Sequence, residues 1–157
     1  MHGKEVTYLP EPTLISVAEE TKEELKFLRA GLKSTFLVLD KGYLASGSNR
    51  EHELGLDEKG VIYEARLVEL GERIIDLRVG AKHLVLKTET RILVSGSNLK
   101  RQIGKENKES SKLSALNFEF NHIRASWFNT ILFSKRACLL FGSDLLNQLL
   151  NSETKAF

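Results

Sequence analysis

GLKSTFLVLDKGYLASGSN (residues 31–49), GAKHLVLKTETRILVSGSN (80–98) and SWFNTILFSKRACLLFGSD (126–144) align from end to end without a gap. Self-similarity at a fixed period outranks local propensity, because each copy must fold as the same unit and bury its apolar face against its neighbours. The opening residue of each copy stands sixteen positions before a glycine: Gly31 before Gly47, Gly80 before Gly96, Ser126 before Gly142. Those closing glycines are spaced by 49 and then 46 residues. Ser-Asn, Ser-Asn or Ser-Asp follows, and then a common tail. Asn49 leads to Glu53-Leu54-Gly55, Asn98 to Gln102-Ile103-Gly104, and Asp144 to Gln148-Leu149-Leu150.

Inside the copies, the runs 36–39, 91–94 and 138–141 are short, apolar and bounded by Gly, Ser and Asn, which is how strands rather than helices are punctuated. A second pair of apolar runs lies upstream of each copy, at 13–17 with 26–30, 65–70 with 74–79, and 113–118 with 120–125. Four short strands per unit, at a period of about 40–50 residues, predict an all-β fold of three blade-like repeats. The chain reads as one repeat domain with units at about 11–60, 61–108 and 109–150 and a polar tail at 151–157. Gly31, Gly47, Gly80, Gly96 and Gly142 are assigned to tight connections, where a missing Cβ matters. Asn49, Asn98 and Asp144 are assigned to side-chain bonds that hold the turn after them.

The pattern Gly-x-x-His, two strands, Gly-Ser-Asn, three residues, Gln-Leu-Gly resembles the repeat of the regulator of chromosome condensation family. The middle copy carries it best, with Gly80, His83, Gly96, Asn98, Gln102 and Gly104. The first copy has Ser34 and Glu53 at the His and Gln positions. The third has Ser126, Asn129, Asp144 and Leu150 where Gly, His, Asn and Gly are expected. The resemblance spans most of residues 11–150. It implies β-propeller blades, of which a complete ring usually holds about seven. Three units are therefore expected to form an open or partner-completed partial propeller. The completing element would be a second arc in a homodimer, a different protein, or the rest of a longer product. The resemblance implies three activities: nucleotide exchange on a small Ras-like GTPase, docking on chromatin, or an accessory role in tRNA or diphthamide modification. Exchange in the family depends on one face of a complete ring, so no catalytic residue is carried over. The expected function is a non-catalytic module docking on a protein or ribonucleoprotein assembly, with exchange and the modification pathways as alternatives.

Composition agrees with an ordinary globular chain: 157 residues, 41% hydrophobic and 28% charged, enough for one core. Twenty-three Lys and Arg against twenty-one Asp and Glu leave a net charge of +2, which does not by itself call for nucleic acid. No run approaches the roughly 18 apolar residues of a membrane span, so no membrane association is expected. Glu5, Glu11, Glu19 and Glu20 argue against a secretory leader. The lone Cys138 can make no intrachain disulfide, which points to the cytoplasm or nucleus. Four histidines and one cysteine fall in no zinc-binding spacing, and no phosphate-binding glycine loop is present, so no metal, cofactor or catalytic site is expected. The Ser-x-x-Lys match at Ser152–Lys155 lies in the polar tail without its companion motifs and is read as chance.

Individual residues then sort as follows. His83 is expected to hydrogen-bond within the repeat, and Cys138 to lie buried in its apolar strand. His52, in a tail loop, is expected to be exposed and available to a partner. Trp127 and Phe128 replace Leu32-Lys33 and Ala81-Lys82 at a strand connection; they either plug an end blade or present aromatic anchors. The basic stretch 100–112, with Lys100, Arg101, Lys105, Lys108 and Lys112 diluted by Glu106 and Glu109, is read as a solvated loop or as an RNA or phosphate contact.

Overall fold

The computed structural model describes residues 23–106 and 111–143. The strand expected at 13–17, Lys108, Asp144 and the tail behind it lie outside the described residues. Within them there is no helix, and the strands form three antiparallel sheets. The first joins β1 (Phe27–Ala30), β2 (Ser34–Val38), β3 (Gly42–Ser48) and β4 (Val61–Glu69) in that order. The second repeats the order with β5 (Ile74–Val79), β6 (His83–Thr88), β7 (Ile92–Gly96) and β8 (Ser111–Leu116). The third contains β9 (His122–Ser126), β10 (Asn129–Phe133) and β11 (Cys138–Gly142).

The phase of the repeat differs from the sequence units. The run at 65–70, read as opening the second unit, belongs to β4 and pairs with β3, Leu44 opposite Leu67. Likewise the run at 113–118 falls largely in β8, paired with β7 in the second sheet. A period says nothing about where to cut a repeat; antiparallel pairing does, because β4 returns from the tail loop directly onto the free edge of β3.

Side chains alternate between the two faces of each strand, so a sheet packed on both faces must be apolar on both. The second sheet shows this. Leu77, Leu84, Leu86 and Leu93 pack against Phe36, Val38, Tyr43 and Ala45 of the first sheet. Val85, Ile92 and Val94, on the opposite face, pack against Ile123 and Leu132 of the third. Each inter-sheet layer also takes a plug from a tail loop: Leu54 in the first, Ile103 in the second. Each such fully buried side chain contributes about 1.5–3 kcal/mol. β1, β5 and β9 run side by side at the hub of the stack. There Asp76 gathers the guanidinium groups of Arg29, Arg78 and Arg124, one from each sheet, at 3.6, 2.9 and 3.8 Å.

The closing glycines occupy like surroundings in all three copies. Gly47, Gly96 and Gly142 have φ of 110°, 108° and 126°. A Cβ on each would run into one backbone carbonyl, that of Lys33, Lys82 or Phe128 respectively. These are the carbonyls of the preceding hairpin turn, and only glycine allows that approach with positive φ.

Candidate interaction surface

The tail motif builds a turn that is the same in both described copies. The Asn49 carboxamide accepts from the Leu54 amide at 2.9 Å and donates to the Leu56 carbonyl at 3.3 Å and to that of Glu58. Asn98 accepts from Ile103 at 3.2 Å and donates to Lys105 at 3.0 Å. Gln102 holds the Lys100 amide at 2.8 Å, as Glu53 holds that of Glu51 at 2.7 Å. This scaffolding drives Leu54 and Ile103 into the inter-sheet gaps.

His52 is a correction to the expected exposure: it is only 8% exposed. It adopts φ of 63°, and its Nδ1 lies 2.9 Å from the Leu56 carbonyl. Its own carbonyl accepts from the Ser95 hydroxyl of the second sheet. The equivalent Arg101 shares the left-handed backbone, φ 59°, but is exposed. Cys138 is the second correction, exposed rather than buried, because it starts β11 at the border of the described third sheet. The basic stretch is also divided: Lys105 donates to Ser111 and Lys112 pairs with Asp57.

His83 is sealed. Its Nε2 lies 3.0 Å from the Thr130 hydroxyl, across the gap between the second and third sheets, while Nδ1 has no partner and faces Gly80, where a Cβ would collide with the ring. Burial pushes its pKa down to about 4, the Asn129 backbone opposing only in part. The Tyr43 hydroxyl, donating to the Leu54 carbonyl at 3.0 Å, is likewise pushed up by burial. Asp40 and Glu72 are held below the usual carboxylate range. For Asp40 the first cause is the Lys26 hydrogen bond. For Glu72 desolvation acts upward, but Thr90, Thr88 and Arg91 outweigh it. All these groups are structural in their contacts, and no described cluster of His, Cys, Asp or Glu has metal-binding geometry.

The surface features gather at one end of the sheets. Because β2 starts where β3 ends, and Ser48 and Ser97 donate to the Lys33 and Lys82 carbonyls, the hairpin turns and tail loops share an edge. Leu32 and Trp127 are 54% and 59% exposed there. Phe128 is half-buried and stands edge-on to Trp127 at 6.0 Å. The Ala81 amide donates to the Trp127 carbonyl at 3.0 Å, joining adjacent turns. A cleft of about 430 Å³ opens between the first two turns, lined by Leu32, Lys33, Arg50, Glu51 and Lys82 among others. Lys33, Lys82, Lys100 and Arg101 are exposed, and none pairs with a carboxylate among the described residues. At the opposite edge Asp40 is held by Lys26 and Arg73, and Glu72 by Arg91, while Lys135 and Arg136 are exposed there. Proximity of Trp127 to the basic turns was not legible in sequence; the repeat register, which places 127 at the position of 32 and 81, was the available signal.

No family model and no curated protein matches the chain, and no described helix is long and apolar enough to cross a membrane. Solved structures do match. Human WBSCR16 superposes with a TM-score of 0.70 at 10% identity, covering 79% of this chain and 34% of that one. Yeast RCC1 (Prp20) bound to Kap60 gives 0.63 at 17%, covering 83% and 31%. Prp20p from Saccharomyces cerevisiae, described with its binding properties to Gsp1p and histones, gives 0.61 at 16%, covering 78% and 31%. The chain spans about a third of the length of these structures. Three stacked antiparallel sheets, a shared glycine-closed hairpin and these superpositions together give the chain the fold of a partial β-propeller, similar to part of the RCC1 structures.

Proposed function

We propose that the chain is a non-catalytic docking module that grips an acidic protein surface through its turn edge. The observation that carries this is the pairing of exposed Leu32 and Trp127 with Lys33, Lys82, Lys100 and Arg101, cations without described carboxylate partners. An aromatic anchor ringed by cations is the composition of an interface core and rim. The RCC1 structures of similar fold support the same reading: yeast RCC1 (Prp20) is bound to Kap60 in one, and Prp20p is described with its binding properties to Gsp1p and histones in the other.

The test is retention of partners from native extract on the full chain, compared with Trp127→Ala/Lys82→Glu and with Lys135→Ala/Arg136→Ala on the opposite edge. The turn-edge variant is expected to lose a partner that the opposite-edge variant keeps. Equal retention by both variants overturns the reading. Retention abolished by nuclease assigns the edge to RNA instead, and GDP release from a Ras-like GTPase accelerated by the chain alone replaces docking with exchange.

A further inference from the structure

One position of the repeat, two residues before Gly31, Gly80 and Ser126, holds arginine in every copy: Arg29, Arg78 and Arg124. It falls on β1, β5 and β9, so the hub receives a guanidinium group from each sheet. The acid is not repeated. Asp76 stands two residues before Arg78, whereas Phe27 and His122 occupy that position in the other copies. Among the described residues Asp76 is the only carboxylate within ion-pair distance of any of the three, and three cations on one anion leave an excess of positive charge.

Asp76 does not satisfy all of them. Its Oδ1 accepts from the Leu77 amide at 2.9 Å and its Oδ2 from Arg78 at 2.9 Å. The Arg29 and Arg124 nitrogens lie 3.6 and 3.8 Å from the carboxylate, too far for hydrogen bonds. Both are aimed instead by neutral groups. Arg29 donates to the Leu77 and Leu28 carbonyls at 3.1 and 3.0 Å and lies over the Phe27 ring. Arg124 donates to the Ile123 carbonyl at 2.7 Å and lies over the Phe133 ring. A guanidinium carries a rigid fork of N–H donors, more than these contacts use. The Arg29, Arg78 and Arg124 side chains are 32%, 32% and 51% exposed, so a solute can reach them.

We propose that the hub is a binding site for a compact, multiply charged phosphoryl anion, held between the Arg29, Arg78 and Arg124 guanidiniums. The site is separate from the turn edge and does not rest on the docking reading. Planar donor forks match phosphoryl oxygens two at a time, and a dianion neutralises the charge that Asp76 leaves over. Guanidiniums already oriented by carbonyls and rings lose little freedom when the anion arrives. Asp76 is then an internal competitor, a like charge that opposes the ligand.

Isothermal titration of the full chain with inorganic pyrophosphate, at an ionic strength held constant with sodium chloride, is expected to show one saturable site. Arg124→Gln, at the most exposed of the three, is expected to weaken binding about tenfold or more through lost charge-assisted hydrogen bonds. Asp76→Asn is expected to tighten it about fivefold or more, because the amide keeps an acceptor for Leu77 and removes the competing charge. A cluster that serves only as an ion-pair network gives no such tightening. Far-UV circular dichroism checks that each variant is folded, and Arg29→Gln serves where Arg124→Gln is not. ADP as a second titrant identifies the source of the group: tighter binding than pyrophosphate assigns it to a nucleotide, equal or weaker binding to the free anion. Absence of saturable binding by the wild type, or an affinity unmoved by Arg124→Gln or by Asp76→Asn, overturns the inference. So does binding lost in Lys33→Gln/Lys82→Gln and kept in Arg124→Gln, which places the anion at the turn edge.

Discussion

Replacing Gly96 with Ala should destabilise the protein well beyond the same change at Gly60, although both glycines have positive φ, 108° and 130°. The backbone strain is therefore comparable, about 1–3 kcal/mol for a side chain forced into that region. Space is what differs. An added Cβ at Gly60 meets nothing within 4 Å, whereas at Gly96 it meets the Lys82 carbonyl and the His83 Cα, the latter at 2.6 Å. Neither can retreat freely: the Lys82 carbonyl accepts from Ser97 at 2.8 Å, and His83 pairs with Gly96 in the ladder. Overpacking of this kind adds about 1–3 kcal/mol, so Gly96→Ala should cost roughly 2–6 kcal/mol. With a urea slope near ~2 kcal/mol per molar, a gap of about 2 kcal/mol moves the midpoint by about 1 M. Equilibrium urea unfolding followed by far-UV circular dichroism measures it. Midpoints for the two variants that coincide would refute the argument that the hairpin carbonyl, rather than φ alone, demands glycine.

His83 makes stability depend on pH. Its folded pKa is lowered from 6.5 to about 4, so the unfolded chain binds more protons between those values, and stability, complete above about 6.5, falls as pH drops toward 4 by about 3 kcal/mol. Urea midpoints across that range should lose this slope in His83→Gln; an unchanged slope would show that other groups carry it. Ile103→Ala should cost about 2–5 kcal/mol by leaving a void between the second and third sheets, while Leu99→Ala, exposed in the same tail, should stay within about 0.5 kcal/mol. Equal midpoints for these two would mean that the tail does not plug the core.

Much of the fold was legible because the repeat is written in residues whose constraints are local. Gly96 needs its φ, Asn98 binds amides and carbonyls within seven residues, and Gln102 reaches back two positions. Where the reading failed, the deciding contact was distant. His52 was expected outside because it lies in a loop, yet Ser95, from another sheet, holds its carbonyl. Cys138 was expected inside because its neighbours are apolar, but strand parity and a sheet border leave it exposed. The basic stretch 100–112 looked continuous, but Lys112 reaches Asp57 of the first sheet's tail, leaving Lys100 and Arg101 as its exposed cations without a carboxylate partner among the described residues.

The amino-acid order by itself determined the unit: a hairpin closed by glycine, a turn tied by Asn, and an apolar plug behind it, since each depends on neighbours within a few residues. Only the tertiary structure decided which strands share a sheet, that Asp76 binds arginines from three sheets, and that Leu32 and Trp127 share an edge with Lys33, Lys82, Lys100 and Arg101. Those facts depend on how whole sheets stack, a geometry set by packing between residues far apart in the chain, which no periodicity records.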